Sequence, residues 1–396
     1  MLPMSRFSRN LDLQWTSLAG FSYLVYDSCI FGRPRMKTAF FLSGPSLTLI
    51  LIVICACSRQ QQYGVVATPV EEEGIDILFR GFVTGEEEPF AQCHASTIAR
   101  TRDGAFVVAW FAGTHERHDD VGIWISKGTP DYWSVPVEIA KIRQHPHWNP
   151  VLFNTPGGRL ILFFKVGETI GEWETWYMVS NDDGNTWSRA QELVPGDRGG
   201  RGPVRNRPIV LSDGTWLAPA SDEKGGLWNA FVDRSEDQGR TWTATQFIPM
   251  DRDVITGEGV IQPALWESSP GKVHMLLRSS SGAICRSDSE DYGKTWSPIY
   301  KTTLPNNNSG IDLTQLDDGR LVLVYNPVEG NWGGRTPLAT AVSSDNGVTW
   351  SDPDTIDAGT TGDEFSYPSV LHFGDTIAGT YTWKRKRIAI WMGVAR

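Results

Sequence analysis

The chain has 396 residues and a formal net charge of −10; 40% of it is apolar and 21% charged, with 17 Trp and 40 Gly. That length supports a sizeable core, as two ordinary domains or one large repeat-built domain, and the composition is that of a globular protein rather than a disordered one. The acidic balance excludes binding along a nucleic-acid backbone, which needs a basic face, but it allows an anionic small ligand, because a pocket can oppose the net charge.

At the N-terminal end, residues 1–35 read as an upstream extension, because Met36 opens a stretch laid out as an export signal. Lys37 is followed by an apolar run from Leu47 to Ala56, too short for the roughly 20 residues that span a bilayer. The run ends in "ICAC" (Ile54–Cys57), which resembles a bacterial lipobox with Cys57 as the residue to be lipidated. Residues 36–57 are therefore expected to be a lipoprotein signal peptide, 58–73 a linker and 74–396 a single domain. The protein is expected to be exported and held to a membrane only through its lipid.

The next element is a strand, "GIDILFRGFV" (Gly74–Val83), which has no partner close by in sequence. After it the chain becomes periodic. "SNDDGNTWS" (Ser180–Ser188), "SEDQGRTWT" (Ser235–Thr243), "SEDYGKTWS" (Ser289–Ser297) and "SSDNGVTWS" (Ser343–Ser351) close with Trp187, Trp242, Trp296 and Trp350, spaced 55, 54 and 54 residues apart. A degenerate copy, "SKGTPDYWS", places Trp133 a further 54 residues upstream. Each period holds four short strands with tight turns and no helical periodicity, which is a propeller blade. Five blades read as complete, at about residues 93–142, 147–195, 203–250, 260–303 and 308–357. A sixth, from Tyr367, stops one strand short at Arg396. The strand Gly74–Val83 would supply the missing piece, giving an all-β six-bladed propeller, with seven blades as the alternative. Cys93 and Cys285 then fall on opposite sides of the ring, so no disulfide is expected.

The Ser-x-Asp-x-Gly-x-Thr-Trp units suit a turn: Asp accepts backbone N–H bonds, Gly takes a positive φ and Trp packs between sheets. They are frame, not site. Chemistry is expected where the innermost strands enter the central channel. The period aligns His94, Asn149, Arg207, Gln262, Ser309 and Tyr367 there, and four of the six precede Pro. The ends of the second strands add His115, Lys165, Glu223, Arg278, Asn326, Trp383 and Arg385. This basic collection within an acidic chain points to a carboxylate on the ligand, which Arg grips bidentately.

The period and its Asp boxes, also called BNR repeats, resemble the sialidase superfamily over roughly residues 65–396. The resemblance implies a carbohydrate-active enzyme, with Arg278 as a carboxylate-binding arginine, Tyr367 as nucleophile and Asp119 or Asp120 as acid/base. It also implies an Arg-Ile-Pro at the start of the first blade, where this chain has His94. "AWFAGTHE", "NPVLF", "GRTPL" and "YTWKRKRI" are similar to predicted neuraminidase-like bacterial proteins, themselves similar to lyases that release rhamnose from glucuronate.

That second likeness makes an exo-acting, β-eliminating lyase at a uronate the favoured expectation. Arg207 and Arg278 would neutralise the carboxylate, and His94 or His115 would take the proton. Tyr367 or the other His would protonate the leaving sugar. The alternatives are an exo-α-sialidase or related hydrolase with a Tyr nucleophile, for which Glu223 or Glu364 would activate Tyr367, and a non-catalytic glycan-binding propeller. The expected partner is an acidic oligosaccharide or polysaccharide, met by a monomer. No cofactor is required, with room left for a structural calcium (Ca2+) near the axis.

Overall fold

The computed structural model describes residues 73–396 and, upstream, an antiparallel pair of three-residue strands, Thr16–Leu18 and Phe21–Tyr23. The proposed signal peptide, Cys57 and the linker up to residue 72 lie outside the described residues. From residue 73 onward the chain forms six antiparallel sheets in sequence order, each with its strands in meander order. The first sheet runs Gln92–Arg100, Phe106–Gly113, Gly122–Thr129 and Tyr132–Trp133, with Val137–Ala140 as a fifth strand on Gly122–Thr129. This is where the degenerate repeat falls, and a tight hairpin replaces the Asp box.

The second to fifth blades begin at His147–Asn154, Ile209–Val210, Val260–Ser269 and Asp312–Gln315. The sixth contains Phe365–Phe373, Thr376–Trp383 and Arg387–Ala395. Its outer strand is Ile75–Phe82, antiparallel to Arg387–Ala395 in a register that sets Gly81 opposite Ile390 and Ile75 opposite Ala395. The ring is thus six blades closed by the N-terminal strand.

Strands of the middle layers are buried on both faces, as in Phe106–Gly113, Leu160–Val166 and Leu321–Tyr325, because each is sandwiched by neighbouring blades. The apolar core is accordingly distributed between blades: Val107, Ala109 and Phe111 of the first pack with Leu152, Leu162 and Phe164 of the second. Cys93 and Cys285 are buried, free thiols in the first and fourth blades.

The Asp boxes are the turns between the third and fourth strands. In the fourth blade, Asp291 accepts from Thr295 N (2.8 Å), Thr295 Oγ1 (2.6 Å), Lys294 N (3.0 Å) and Ser289 Oγ (2.8 Å). Trp296 Nε1 donates back to Gly293 O at 3.2 Å. Gly293 is required twice over: its φ is +71°, and a Cβ there would lie 2.7 Å from Leu217 of the preceding blade. Neighbouring blades also grip these turns directly, Arg102 on Asp183 at 3.0 Å and Arg286 Nη1 on Asn346 O at 2.8 Å.

Removing the Asp291 carboxylate leaves several of those donors short of an acceptor. Asp291→Ala is expected to destabilise the propeller by ~1–3 kcal/mol in denaturant unfolding while leaving the channel chemistry intact. An unchanged midpoint would mean that the glycine and tryptophan packing alone hold the turn.

Candidate active site

The innermost strands share a local distortion where they enter the channel. The ladder slips between His94 and Thr97, between Ile261 and Ala264 and between Ser366 and Ser369, and on the neighbouring strand between Phe163 and Lys165. The residues that absorb the slip are Ala95, Asn149, Gln262 and Tyr367, with φ of +56°, +39°, +56° and +52°. At Asn149, Gln262 and Tyr367 the bulge brings a side chain to the central cleft, whereas Ala95 packs in the apolar core with Val107 and Leu152. Non-glycine residues rarely adopt this conformation, and such strain is concentrated at functional sites.

Asn149, Gln262 and Tyr367 line a cleft of about 170 Å³ together with Glu116, Arg117, Glu223, Arg278, Arg335 and Arg385. Its walls are Trp148, Trp173, Trp228 and Trp332. Arg278 is at the centre. Its Nη1 donates to Tyr367 Oη at 2.6 Å and Gln262 Oε1 at 3.3 Å, and its Nε to Asn308 Oδ1 at 2.8 Å. The guanidinium also faces the rings of Trp228 (5.3 Å) and Trp332 (5.6 Å). Tyr367 is itself surrounded by cations, with the central carbons of Arg205, Arg278 and Arg335 at 5.4, 5.7 and 5.5 Å from its ring centroid.

Two carboxylates organise the remaining arginines. Glu364 accepts from Arg335 at 2.7 Å, Arg385 at 2.9 Å and Ser366 Oγ at 2.7 Å. Burial alone would raise its carboxyl, but Arg335 and Arg385 hold it below the ordinary range. Arg385 also pairs with Glu116. Glu364 therefore anchors the arginine clamp and is not free to activate Tyr367. Glu223 differs. Burial pushes its carboxyl up to about 7, with Arg278 opposing, so it exchanges a proton near neutral pH.

Several expected site residues are elsewhere. His94 lies one position before the bulge, so its side chain turns inward: it is 2% exposed, its ring centroid is 4.3 Å from that of Tyr367, and it does not line the cleft. Burial, with Arg385 and Arg335 nearby, keeps its pKa well below 6.5. Arg207 lies two residues beyond Arg205, whose guanidinium reaches the Tyr367 and Pro368 carbonyls. Arg207 instead donates to Val370 O and lines a separate cavity further along the inner strands. The Arg207–Pro208 step mimics the bulge pattern without forming it, which is why the period misplaces it.

Lys165 is fully buried, spending its ammonium on Thr175 Oγ1 (2.6 Å), Arg201 O (2.7 Å) and Gly200 O (3.2 Å). Ser309 is likewise completely buried and lines no wall of the cleft, and Trp383 packs edge-on against Phe82 at 5.4 Å. His115, Asp119 and Asp120 are exposed on the loop after Phe106–Gly113. Asp120 is tied to Thr114 N (3.0 Å), Thr114 Oγ1 (2.6 Å) and His118 (2.8 Å). That loop contributes Glu116 and Arg117 to the cleft instead. Arg335 and Trp332 were missed because alignment on strand starts and ends passes over long connections such as Val328–Pro337, whereas Trp148 stands beside Asn149 on an inner strand and Trp228 directly precedes Asn229–Ser235. "GRTPL" was the one sequence signal that contained Arg335.

The Glu223 carboxyl binds its proton more tightly in the folded chain than in the unfolded one. Stability relative to Glu223→Gln is therefore expected to be greatest below 4.5 and to fall as pH rises through about 7. Thermal unfolding of both proteins across that window tests this; parallel profiles would exclude a raised Glu223.

Residues 104–380 match the family model described as a BNR repeat-like domain, which is well over half of the chain. The chain is 28% identical over 219 residues to the sialidase of Micromonospora viridifaciens, a match that takes in 50% of this chain and 32% of that protein, so it spans about a third of the relative's length. Among solved structures, a protein of unknown function from Dyadobacter fermentans superposes with a TM-score of 0.66 at 16% identity, over 82% of this chain and 100% of the other. A mutant NanB sialidase of Streptococcus pneumoniae gives 0.60 at 12% identity, over 84% and 71%, and the sialidase of Trypanosoma rangeli 0.58 at 18%, over 81% and 59%. With the Asp boxes, six blades and N-terminal closure already described, this chain belongs to the BNR repeat-like family and is a β-propeller of the sialidase superfamily.

Proposed function

We propose that the chain is an exo-acting carbohydrate-active enzyme that cleaves the terminal glycosidic bond of an acidic glycan, with Tyr367 as nucleophile. The observation that carries this reading is the hydrogen bond of 2.6 Å from Arg278 to Tyr367 Oη, inside a cleft that also collects Arg117, Arg335 and Arg385. An anionic group on the sugar would meet Arg278 and Arg335, whose forks suit a carboxylate, and would thereby set the anomeric carbon over Tyr367 Oη. In the forward step Tyr367 Oη bonds to the anomeric carbon and gives its proton to the Glu223 carboxylate. The glycosidic C–O bond breaks, and the departing oxygen takes its proton from water in the cleft, since Glu116 is ion-paired with Arg385; the proton on Glu223 then neutralises the hydroxide left behind. Water then displaces Tyr367 and restores its proton. A neutral phenol is a suitable nucleophile where the substrate carries its own negative charge, and Glu223, near 7, can both take and return a proton.

The elimination reading keeps its carboxylate clamp in Arg278 but loses its bases. His94 is covered by Tyr367, and His115 stands outside the cleft. A binding-only propeller would leave the raised Glu223 without a use. The sialidases among the relatives support an acidic sugar as ligand, and the neighbour from Ruminococcus gnavus, an intramolecular trans-sialidase aligned over 79% of this chain, supports transfer chemistry on this frame.

Two substrates separate these readings: a sialyl glycoside with a reporter aglycone and a polysaccharide with terminal rhamnose on glucuronate. Reporter release without new ultraviolet absorbance is expected, with Tyr367→Phe abolishing turnover. Arg278→Lys, which keeps the charge but loses the fork, is expected to lower kcat/KM ~10²-fold. An unsaturated, absorbing product with free rhamnose would overturn the Tyr367 mechanism in favour of elimination.

A further inference from the structure

The inner strands that begin at the cleft run on to a second cavity. Leu371 lies four residues beyond Tyr367, roughly 13 Å along an extended strand. There Leu371 and His372 line a cavity of about 360 Å³. Ile98, Leu152, Phe153 and Val210 give it apolar walls, and its polar side chains are Arg100, Asn154, Arg207 and His372. It has two arginines in its lining and no Asp or Glu, although the chain as a whole carries a net charge of −10.

Both guanidiniums are fixed by contacts that leave charge over. Arg100 lies on the face of Phe373, 4.3 Å from the ring centroid, and its side chain makes no hydrogen bond or ion pair among the described residues. Arg207 is anchored on Val370 O, yet its side chain stays 26% exposed. The carboxylate it meets, Asp312 at 4.0 Å, is shared with the buried Arg205 and already accepts from Val370 N (2.8 Å) and Leu313 N (2.9 Å). His372 is bonded to Thr314 Oγ1 (3.1 Å) and Asp317 (3.2 Å), and Asn154 Nδ2 donates to Arg100 O (2.8 Å). An adjoining cavity of about 400 Å³, which shares Arg207, Val210 and His372, adds Asp312 and Glu267. Glu267 is itself committed to Ser212 N, Ser212 Oγ and Gly271 N.

Apolar walls with a few fixed polar groups are the usual form of a small-molecule site. A strongly hydrated inorganic anion would gain nothing from those walls, whereas a guanidinium fork beside them suits an organic acid. We infer that this cavity binds a small organic carboxylate, with its acid group between Arg100 and Arg207 and its apolar body against Leu152, Val210 and Leu371. The cavity shares no residue with the cleft, so the site stands apart from the chemistry proposed for Tyr367.

The probe is 4-bromobenzoate, titrated calorimetrically into the full chain and soaked into its crystals for anomalous diffraction at the bromine edge. A bromine peak in this cavity is expected, with the carboxylate within hydrogen-bonding distance of Arg100 or Arg207. Arg100→Gln should weaken binding ~10-fold, and 4-bromobenzamide, the same body without the charge, should lose as much. Arg278→Lys, in the cleft, should leave the affinity unchanged. If Arg100→Gln does not fold, the comparison of acid with amide on the unsubstituted chain still decides. A bromine peak confined to the cleft, equal affinity for acid and amide, or binding at crystal concentration only would overturn the inference.

Discussion

A ring of blades keeps its axis in register only while it is shut, and here closure falls to eight residues, Ile75–Phe82, laid antiparallel on Arg387–Ala395. Arg396 N adds a bond to Gly74 O at 2.9 Å, and Ile75 N reaches Asp354 of the fifth blade at 2.7 Å. Without that outer strand the sixth blade would expose a ladder edge, and Tyr367, on its innermost strand, would rest on an incomplete sheet. The two ends of the domain are thereby made one element. Blade-to-blade contacts then carry the closure round, through apolar faces and through arginines that hold the Asp-box turn of the next sheet.

On this frame the cleft is an exercise in surplus positive charge. Arg335 and Arg385 are held by Glu364 and Glu116, so their positions are set while part of their charge is offset. Arg278 is held by neutral partners, Asn308, Gln262 and Tyr367, and its charge is left for a ligand. Glu223 is not ion-paired within 4 Å of a cation among the described residues, which agrees with its tendency to hold a proton up to about 7. The indoles of Trp228 and Trp332 limit solvent around Arg278, and electrostatic attraction strengthens as water is excluded.

The repeated bulge links the frame to the site. A regular strand would direct alternate side chains into the neighbouring blades, where only apolar groups fit. One slip of the ladder, with a residue held at positive φ, brings Asn149, Gln262 and Tyr367 to the cleft from three of the six blades. Sequence alignment found these places to within one or two residues, because Pro follows Asn149, Gln262 and Tyr367. A single position of error still changes the meaning of a residue. His94 sits one place from the bulge and is a buried wall under Tyr367; Arg207 sits two places past Arg205 and belongs to another cavity.

By itself, then, the sequence determined the number and kind of blades, the closing strand and the Asp-box turns. These depend on local φ/ψ demands and on a period that repeats several times over, so each copy confirms the others. It also placed Arg278, Arg385, Gln262, Asn149 and Tyr367 in the channel mouth, since they stand at strand ends that the period marks. The tertiary structure alone decided which charges meet. Arg335, Trp173 and Trp332 come from connections of unequal length with no periodic signal, and Trp148 stands on an inner strand beside Asn149. Glu364 rather than Glu223 anchors the arginines, because pairing depends on distances across blades more than a hundred residues apart in some cases, as between Arg385 and Glu116. Lys165 was lost to backbone carbonyls for the same reason: a side chain's use is set by what folding brings within reach of it, and a linear period contains no such distances.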